Sequence, residues 1–164
     1  QDDDIFTACA LAKTDSNVSL IVNTAEKQEL KSFDIKLQRQ LGADYRFLTE
    51  GMKKAAFCYH NLLNGFNSNV MSAYQRGLQL DYERLSQVLI AIDSHNNKGS
   101  RSKFYKNLEQ RMRHGVPTHL IELCQLPNIG KVRAEKLYSA GFRNPSDLVG
   151  NQEKVKSVLN MKDD

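Results

Sequence analysis

The residues best suited to gripping a ligand lie in one short stretch, Leu126-Pro127-Asn128-Ile129-Gly130-Lys131-Val132-Arg133. Gly130 lets a backbone approach a ligand closely or take a positive φ, and Asn128 is of the next most tolerant residue type for such a position. Ile129 between them is placed to plug the junction of two helices. A helix starting just after Gly130 points its free N–H groups and the positive end of its dipole at the turn, where a phosphate fits. Lys131, Arg133 and Lys136 would surround that anion with charge, with Val132 in the same first turn. The chemistry predicted is a grip on phosphates that reads no base.

Other chemistries fit less well. Gly130-Lys131 looks like the end of a P-loop, but Val132 stands where a Ser or Thr must hold magnesium, and Gln125 occupies the place of the upstream Gly. Cys9, Cys58 and Cys124 are odd in number and widely spaced, which predicts buried free thiols rather than a disulfide framework. Cys58 and His60 have no second pair at zinc spacing. His95, His114 and His119 form no set with a thiol or carboxylate. Asp2-Asp3-Asp4 is the one acidic run, and it reads as a solvated tail rather than the clustered carboxylates a nuclease needs. No catalytic residue, metal site or cofactor is expected in this chain.

The elements that must position the turn read as helices, because apolar residues recur at intervals of three or four almost throughout. Asn23 and Glu26 form a capping-box pattern that opens a helix over residues 24–33. Leu48, Met52, Ala55, Tyr59, Leu62 and Phe66 make one stripe on a helix over residues 49–66, which Gly65 and residues 67–69 end. Gly77 reads as a turn, after which Asp81 caps a helix with Leu85, Val88, Leu89 and Ile92 on one face. Residues 95–100 form a loop by composition. Ser102 starts a helix with Phe104 and Leu108 inward and Lys103, Lys106, Arg111 and Arg113 mostly outward. Gly115 then sits where a C-terminal cap belongs, with Pro117 after it, which makes residues 114–118 the best internal boundary. A short helix, the turn, and a second short helix closed by Gly141 follow. The reading is all-α, a helical bundle over residues 1–114 and a small two-helix domain over residues 115–164.

Charge is unevenly placed along the chain. The chain of 164 residues carries a net +4 with 40% apolar and 26% charged residues, enough apolar material for a core. Residues 1–100 hold 11 Lys and Arg against 12 Asp and Glu, whereas residues 101–164 hold 12 against 7. The excess is a candidate electrostatic footprint for a polyanion. No stretch approaches the ~20 apolar residues of a membrane span and no signal sequence opens the chain, so the expected location is intracellular and no membrane partner is expected. The chain begins with Gln1 rather than Met, which reads as a piece cut from something longer.

The stretch Leu126-Pro127, Asn128-Ile129-Gly130, Ala134, Leu137 and Gly141-Phe142 resembles the helix-hairpin-helix motif, a sequence-independent binder of nucleic-acid backbones. Asn128 stands where that motif usually has its first Gly. Arg111-Met112-Arg113-His114-Gly115-Val116, Leu120-Ile121-Glu122-Leu123 and the run from Asn128 to Phe142 extend the likeness. Together they resemble the C-terminal end of Ski-type superfamily-two DNA helicases, of the kind found in archaeal fork-repair and polymerase-theta-like helicases. Residues 144–149 and 153–158 continue it, and residues 20–26 and 52–63 fit more loosely.

The resemblance implies that two RecA-like motor domains and a winged helix precede this region and hold the ATP and magnesium. It implies a bundle, called the ratchet domain, whose long helix lies along an unwound strand, followed by the hairpin domain. On that helix the family places an Arg and a Trp about two turns apart. Arg84 matches the Arg, the chain has no Trp, and Tyr82 or His95 are the conceivable substitutes. Glu135 falls where a basic residue is common. The expected function is the non-catalytic C-terminal part of an ATP-dependent DNA-repair helicase, binding single-stranded or forked DNA through backbone phosphates. The alternative is a protein-interaction or autoinhibitory module that packs on the motor or a partner.

Overall fold

The computed structural model describes residues 2–13, 21–96 and 98–160, and among them every regular element is a helix. Gln1, Leu20, Asn97 and residues 161–164 lie outside the described residues. Eight α-helices run in order: α1 (Asp2–Ala12), α2 (Thr24–Leu41), α3 (Glu50–Asn64), α4 (Asn69–Asn96), α5 (Ser102–His114), α6 (Ile121–Cys124), α7 (Lys131–Ser139) and α8 (Gln152–Leu159), with 3-10 turns at Gly42–Phe47, Thr118–Leu120 and Pro145–Leu148. Two clusters of buried apolar side chains form, one drawn from Ile5 to Met112 and the other from Val116 to Phe142.

Helix α2 begins where its capping box directs. The Glu26 N–H donates to Asn23 Oδ1 at 3.0 Å and the Asn23 N–H to Glu26 Oε2 at 2.9 Å. The helix continues past the expected residue 33 to Leu41, because Phe33 and Leu37 extend its buried stripe. Helix α3 starts on Thr49, whose Oγ1 accepts the Met52 N–H at 3.2 Å. It is the central element, packing against α1, α2, α4 and α5. It ends at residue 64 with Gly65 in the left-handed conformation, so Phe66 leaves the stripe and stands 52% exposed.

Helix α4 departs most from expectation. It is one uninterrupted helix of 28 residues, about 42 Å long, with Gly77 and Asp81 in its interior. A glycine there costs about 1 kcal/mol. Burial of the neighbouring Leu78 and Tyr82, both essentially inaccessible, offsets it. The buried residues are Val70, Met71, Leu78, Tyr82, Ser86 and Asp93, so of the expected inner face Leu85 packs against the core while Val88 and Ile92 turn outward. Val88 is 53% and Ile92 49% exposed. Asp93 faces inward because its carboxylate accepts the Arg101 N–H at 2.9 Å and its carbonyl the Gly99 N–H at 3.0 Å, which orders the turn into α5.

Helix α5 keeps Leu108 inward and Lys103, Lys106 and Arg113 outward, as expected, and differs at two positions. Phe104 is exposed and Arg111 is inside. The Arg111 guanidinium donates to both carboxylate oxygens of Asp4, at 2.8 and 2.9 Å, and to the Leu63 carbonyl at 2.8 Å, joining α1, α3 and α5. Asp4 is therefore no solvated tail. Burial alone would raise its carboxyl, but the Arg111 hydrogen bonds and charge outweigh that and hold it below the usual carboxylate range. Lys54 of α3 is likewise buried, with Glu26 Oε1 at 2.7 Å and the Ile21 carbonyl at 3.0 Å.

These buried polar groups carry measurable consequences. The Tyr82 hydroxyl is buried with no hydrogen-bond partner among the described residues, so Tyr82→Phe is expected to raise stability by about 1 kcal/mol in urea unfolding, where removal of a useful hydrogen bond would lower it. Asp4 titrates lower folded than unfolded, so its contribution is present above the usual carboxylate range and is lost as pH falls through the depressed folded value. Asp4→Asn is expected to cost about 1–3 kcal/mol at neutral pH and to shrink the acid-induced loss of stability, read from thermal melts taken between about pH 7 and 2.

Candidate nucleic-acid interface

The turn at residues 125–130 joins α6 to α7 in a tight bend closed by the Ile129 N–H donating to the Leu126 carbonyl at 3.1 Å. Asn128 is the residue that takes the left-handed backbone, with φ 62°, whereas Gly130 is extended at φ −90° and ψ −177°. Of the two residues suited to a positive φ, Asn128 is thus the one that takes it, and its type tolerates this region. Neither the backbone nor the packing demands glycine at 130, since a Cβ placed there would have no heavy atom within 4 Å, and the space in front of the helix start is open. Ile129 is half-buried and packs against the second apolar cluster, beside Leu120, Leu123, Ala134 and Leu137.

Helix α7 starts bare. Gly130 provides no side-chain cap, and the first helical bond is the Ala134 N–H to the Gly130 carbonyl at 2.9 Å. The N–H groups of Lys131, Val132 and Arg133 therefore have no intrahelical acceptor, and they sit at the positive end of the helix dipole. Val132 is 63% exposed at this end. Arg133 folds back over the turn and its Nη1 donates to the Asn128 carbonyl at 2.7 Å. That bond holds a permanent positive charge at the mouth of the turn.

The three expected cations do not ring the turn evenly. Arg133 and the exposed Lys136 are three residues apart and share a helix face. Lys131 leans the other way, its Nζ donating to Asn67 Oδ1 at 2.8 Å on the α3–α4 connection. Asn67 lies 64 positions away in sequence, so no local pattern signals this contact. Arg84 is exposed on α4, 15 residues and about 22 Å along that helix from its start at Asn69 beside the turn. Tyr82 is buried and cannot offer its ring to a base, which removes it as a substitute for the missing Trp. His95 is exposed and lies eleven residues from Arg84, on the same face of α4.

Two further features escape sequence reasoning. The Arg143 guanidinium lies 3.8 Å over the Tyr138 ring and donates to the Tyr138 carbonyl at 3.0 Å, closing the end of α7. Burial pushes the Cys124 thiol up, with Glu135 adding to the effect. The three thiols, Cys9, Cys58 and Cys124, are buried and form no disulfide among the described residues, as their spacing predicts. Among the described residues no three His, Cys, Asp or Glu side chains are grouped to hold a metal ion. No helix among them is long and apolar enough to cross a membrane. The arrangement can hold an oxyanion by backbone N–H groups and Arg133 charge, with nothing aimed at a base edge.

No protein-family model matches this chain. Over 64 residues it is 41% identical to the ATP-dependent DNA helicase Hel308 of Methanocaldococcus jannaschii, a match covering 39% of this chain and 5% of that protein. Over 57 residues it is 46% identical to Hel308 of Thermococcus kodakarensis, covering 35% of this chain and 5% of that protein. The figures for Hel308 of Methanococcus vannielii are 38% over 65 residues, 38% of this chain and 9% of that protein. The matched stretch spans less than a tenth of the length of each of these relatives. Over somewhat more than a third of its length, then, this all-α chain is similar to archaeal ATP-dependent DNA helicases of the Hel308 type.

Proposed function

We propose that the chain is the non-catalytic C-terminal part of an ATP-dependent DNA helicase, and that it holds single-stranded or forked DNA by backbone phosphates without reading sequence. In this reading residues 1–114 are a ratchet-like helical bundle and residues 115–164 a helix-hairpin-helix domain. The RecA-like motor and winged-helix domains of the same polypeptide are its neighbours. The observation that carries the reading is the uncapped, unobstructed amino end of α7, with Arg133 pinned at its mouth. The likeness to Hel308 proteins, and the basic balance of the chain after residue 100, support it. Arg84 is the proposed second contact, on the exposed face of α4.

ATP and magnesium belong, in this reading, to the motor. The residues after Gly130 do not fit a nucleoside triphosphate, because the side chain at the magnesium position is the exposed, apolar Val132. The work proposed for this chain is to bind and orient a strand while the motor supplies the movement.

A second reading, a module that packs on the motor or a partner, is favoured by one observation. Leu80, Val88 and Ile92 stand about half exposed along α4, and such a patch suits a protein contact. Fluorescence anisotropy with a labelled single strand over a salt series separates the two. Binding is expected to weaken as salt rises, and Lys131→Ala with Arg133→Ala to lower both the affinity and the salt slope. The slope falls by about 0.7 for each phosphate that the variant no longer neutralises. An unchanged affinity and slope would overturn the role of the α7 end, and no binding at physiological salt would favour the protein contact.

A further inference from the structure

A cleft of about 460 Å³ lies between α1, α2 and α3, apart from the α7 end, and the charged side chains that line it among the described residues are of one sign. Lys36 and Arg39 stand three residues apart on α2, so they neighbour each other on its surface. Both are exposed, and neither has an ion-pair partner among the described residues. Gln40, His60, Asn64 and Phe66 complete the polar and aromatic wall. Among the described residues no carboxylate lines it. The charge of Asp4 reaches His60 but is already paired with both donor arms of Arg111.

Phe66 is the unusual part of this wall. Its ring is 52% exposed, yet the residue is not loose. The Phe66 N–H donates to the Asn61 carbonyl at 2.8 Å, and its ring is backed by His60 at 6.2 Å, which in turn rests 5.1 Å from Phe33 in the core. A braced, uncovered aromatic ring beside two unpaired cations is the combination that single-strand binders use, the ring for a base and the cations for phosphates. The cleft also adjoins the α7 end. Phe66 precedes Asn67, which holds Lys131 Nζ at 2.8 Å, and a Cβ on Gly65 would lie 3.6 Å from Lys131 Cε.

We infer that this cleft is a second site on the same single strand, with a base stacked on Phe66 and the flanking phosphates against Lys36 and Arg39. The inference rests on the proposed role of the α7 end, since it continues the strand held there across the 65–67 turn. The contact is sequence-tolerant, because every base offers a face to the ring. It lengthens the footprint of the chain from one turn to a track that runs from α7 on to α2.

The test uses the full chain, labelled oligothymidylate, an abasic strand of equal length and thymidine monophosphate, with thermal melts to confirm that each variant folds. Phe66→Ala is expected to weaken oligothymidylate binding by about fivefold or more. Phe66→Tyr, which keeps the ring, is expected to bind as the wild type does. The abasic strand should bind Phe66→Ala and wild type alike. Lys36→Gln with Arg39→Gln should lower the salt slope by about 1.4, two phosphates at about 0.7 each. Binding of thymidine monophosphate as tight as that of the strand would overturn a strand site. Wild-type binding to the strand with the Phe66 and Lys36/Arg39 variants unchanged would overturn this inference alone. Unaltered binding by the Lys131/Arg133 variant, with weaker binding in the cleft variants, would leave the cleft standing and remove the α7 end. A wild type that binds no strand would overturn both.

Discussion

The position of everything after residue 114 depends on the close approach of two helix ends. Helix α3 stops at Gly65 and α5 stops at Gly115, both glycines in the left-handed conformation that an L side chain enters only at a cost of about 1–2 kcal/mol. A Cβ on Gly65 would press the Gly115 carbonyl at 3.3 Å and Pro117 Cδ at 3.3 Å, and one on Gly115 would press Leu62 at 3.1 Å. The missing side chains let the two turns touch. That contact sets where the chain leaves the bundle, and so where the α6–α7 turn comes to rest against the α3–α4 connection.

Arg111 makes the approach stable from the inside. One guanidinium reaches an α1 carboxylate and the Leu63 carbonyl near the end of α3, so three helices converge within a few residues of both glycines. The fork geometry suits this, since five fixed donors can satisfy two acceptors at once while a single ammonium cannot hold the same plane. The Leu63 carbonyl lies in the last turn of α3, where carbonyls lack intrahelical partners, so the arginine also finishes that helix. An apolar side chain of similar size would fill the space and leave both the carbonyl and Asp4 unpaired.

The functional consequence is a division of labour among cations. Arg111 and Lys54 serve structure, buried and paired. Lys131 links the turn to the bundle, while Arg133 is held at the mouth of the turn by a neutral carbonyl and keeps its charge for an anion. Lys36, Arg39, Lys136 and Arg84 remain on the surface. A count of basic residues along the chain cannot make this separation, because it depends on which acids and carbonyls lie across the fold.

Much of the local structure is legible in the sequence. The capping box at Asn23, the Thr49 start of α3, the glycine stops at residues 65 and 115 and the bend at residues 125–130 are all set by groups within a few residues of one another. Short-range hydrogen bonds and backbone sterics decide these features, and both travel with the residues themselves. The uninterrupted course of α4, the inward turn of Arg111 and the fate of Asp4 are not legible. Each turns on a partner far away: Leu78 and Tyr82 carry a helix through Gly77 because a core waits for them, and Arg111 turns inward because Asp4 and Leu63 meet it there. By itself, then, the sequence determined an all-α chain with a bare, glycine-opened helix start in a basic region. Only the tertiary structure decided which charged groups are consumed in the core and which aromatic ring is left uncovered beside free ones. Burial and ion pairing are properties of the assembled helices, since a charge will leave water only where the fold supplies its counter-charge.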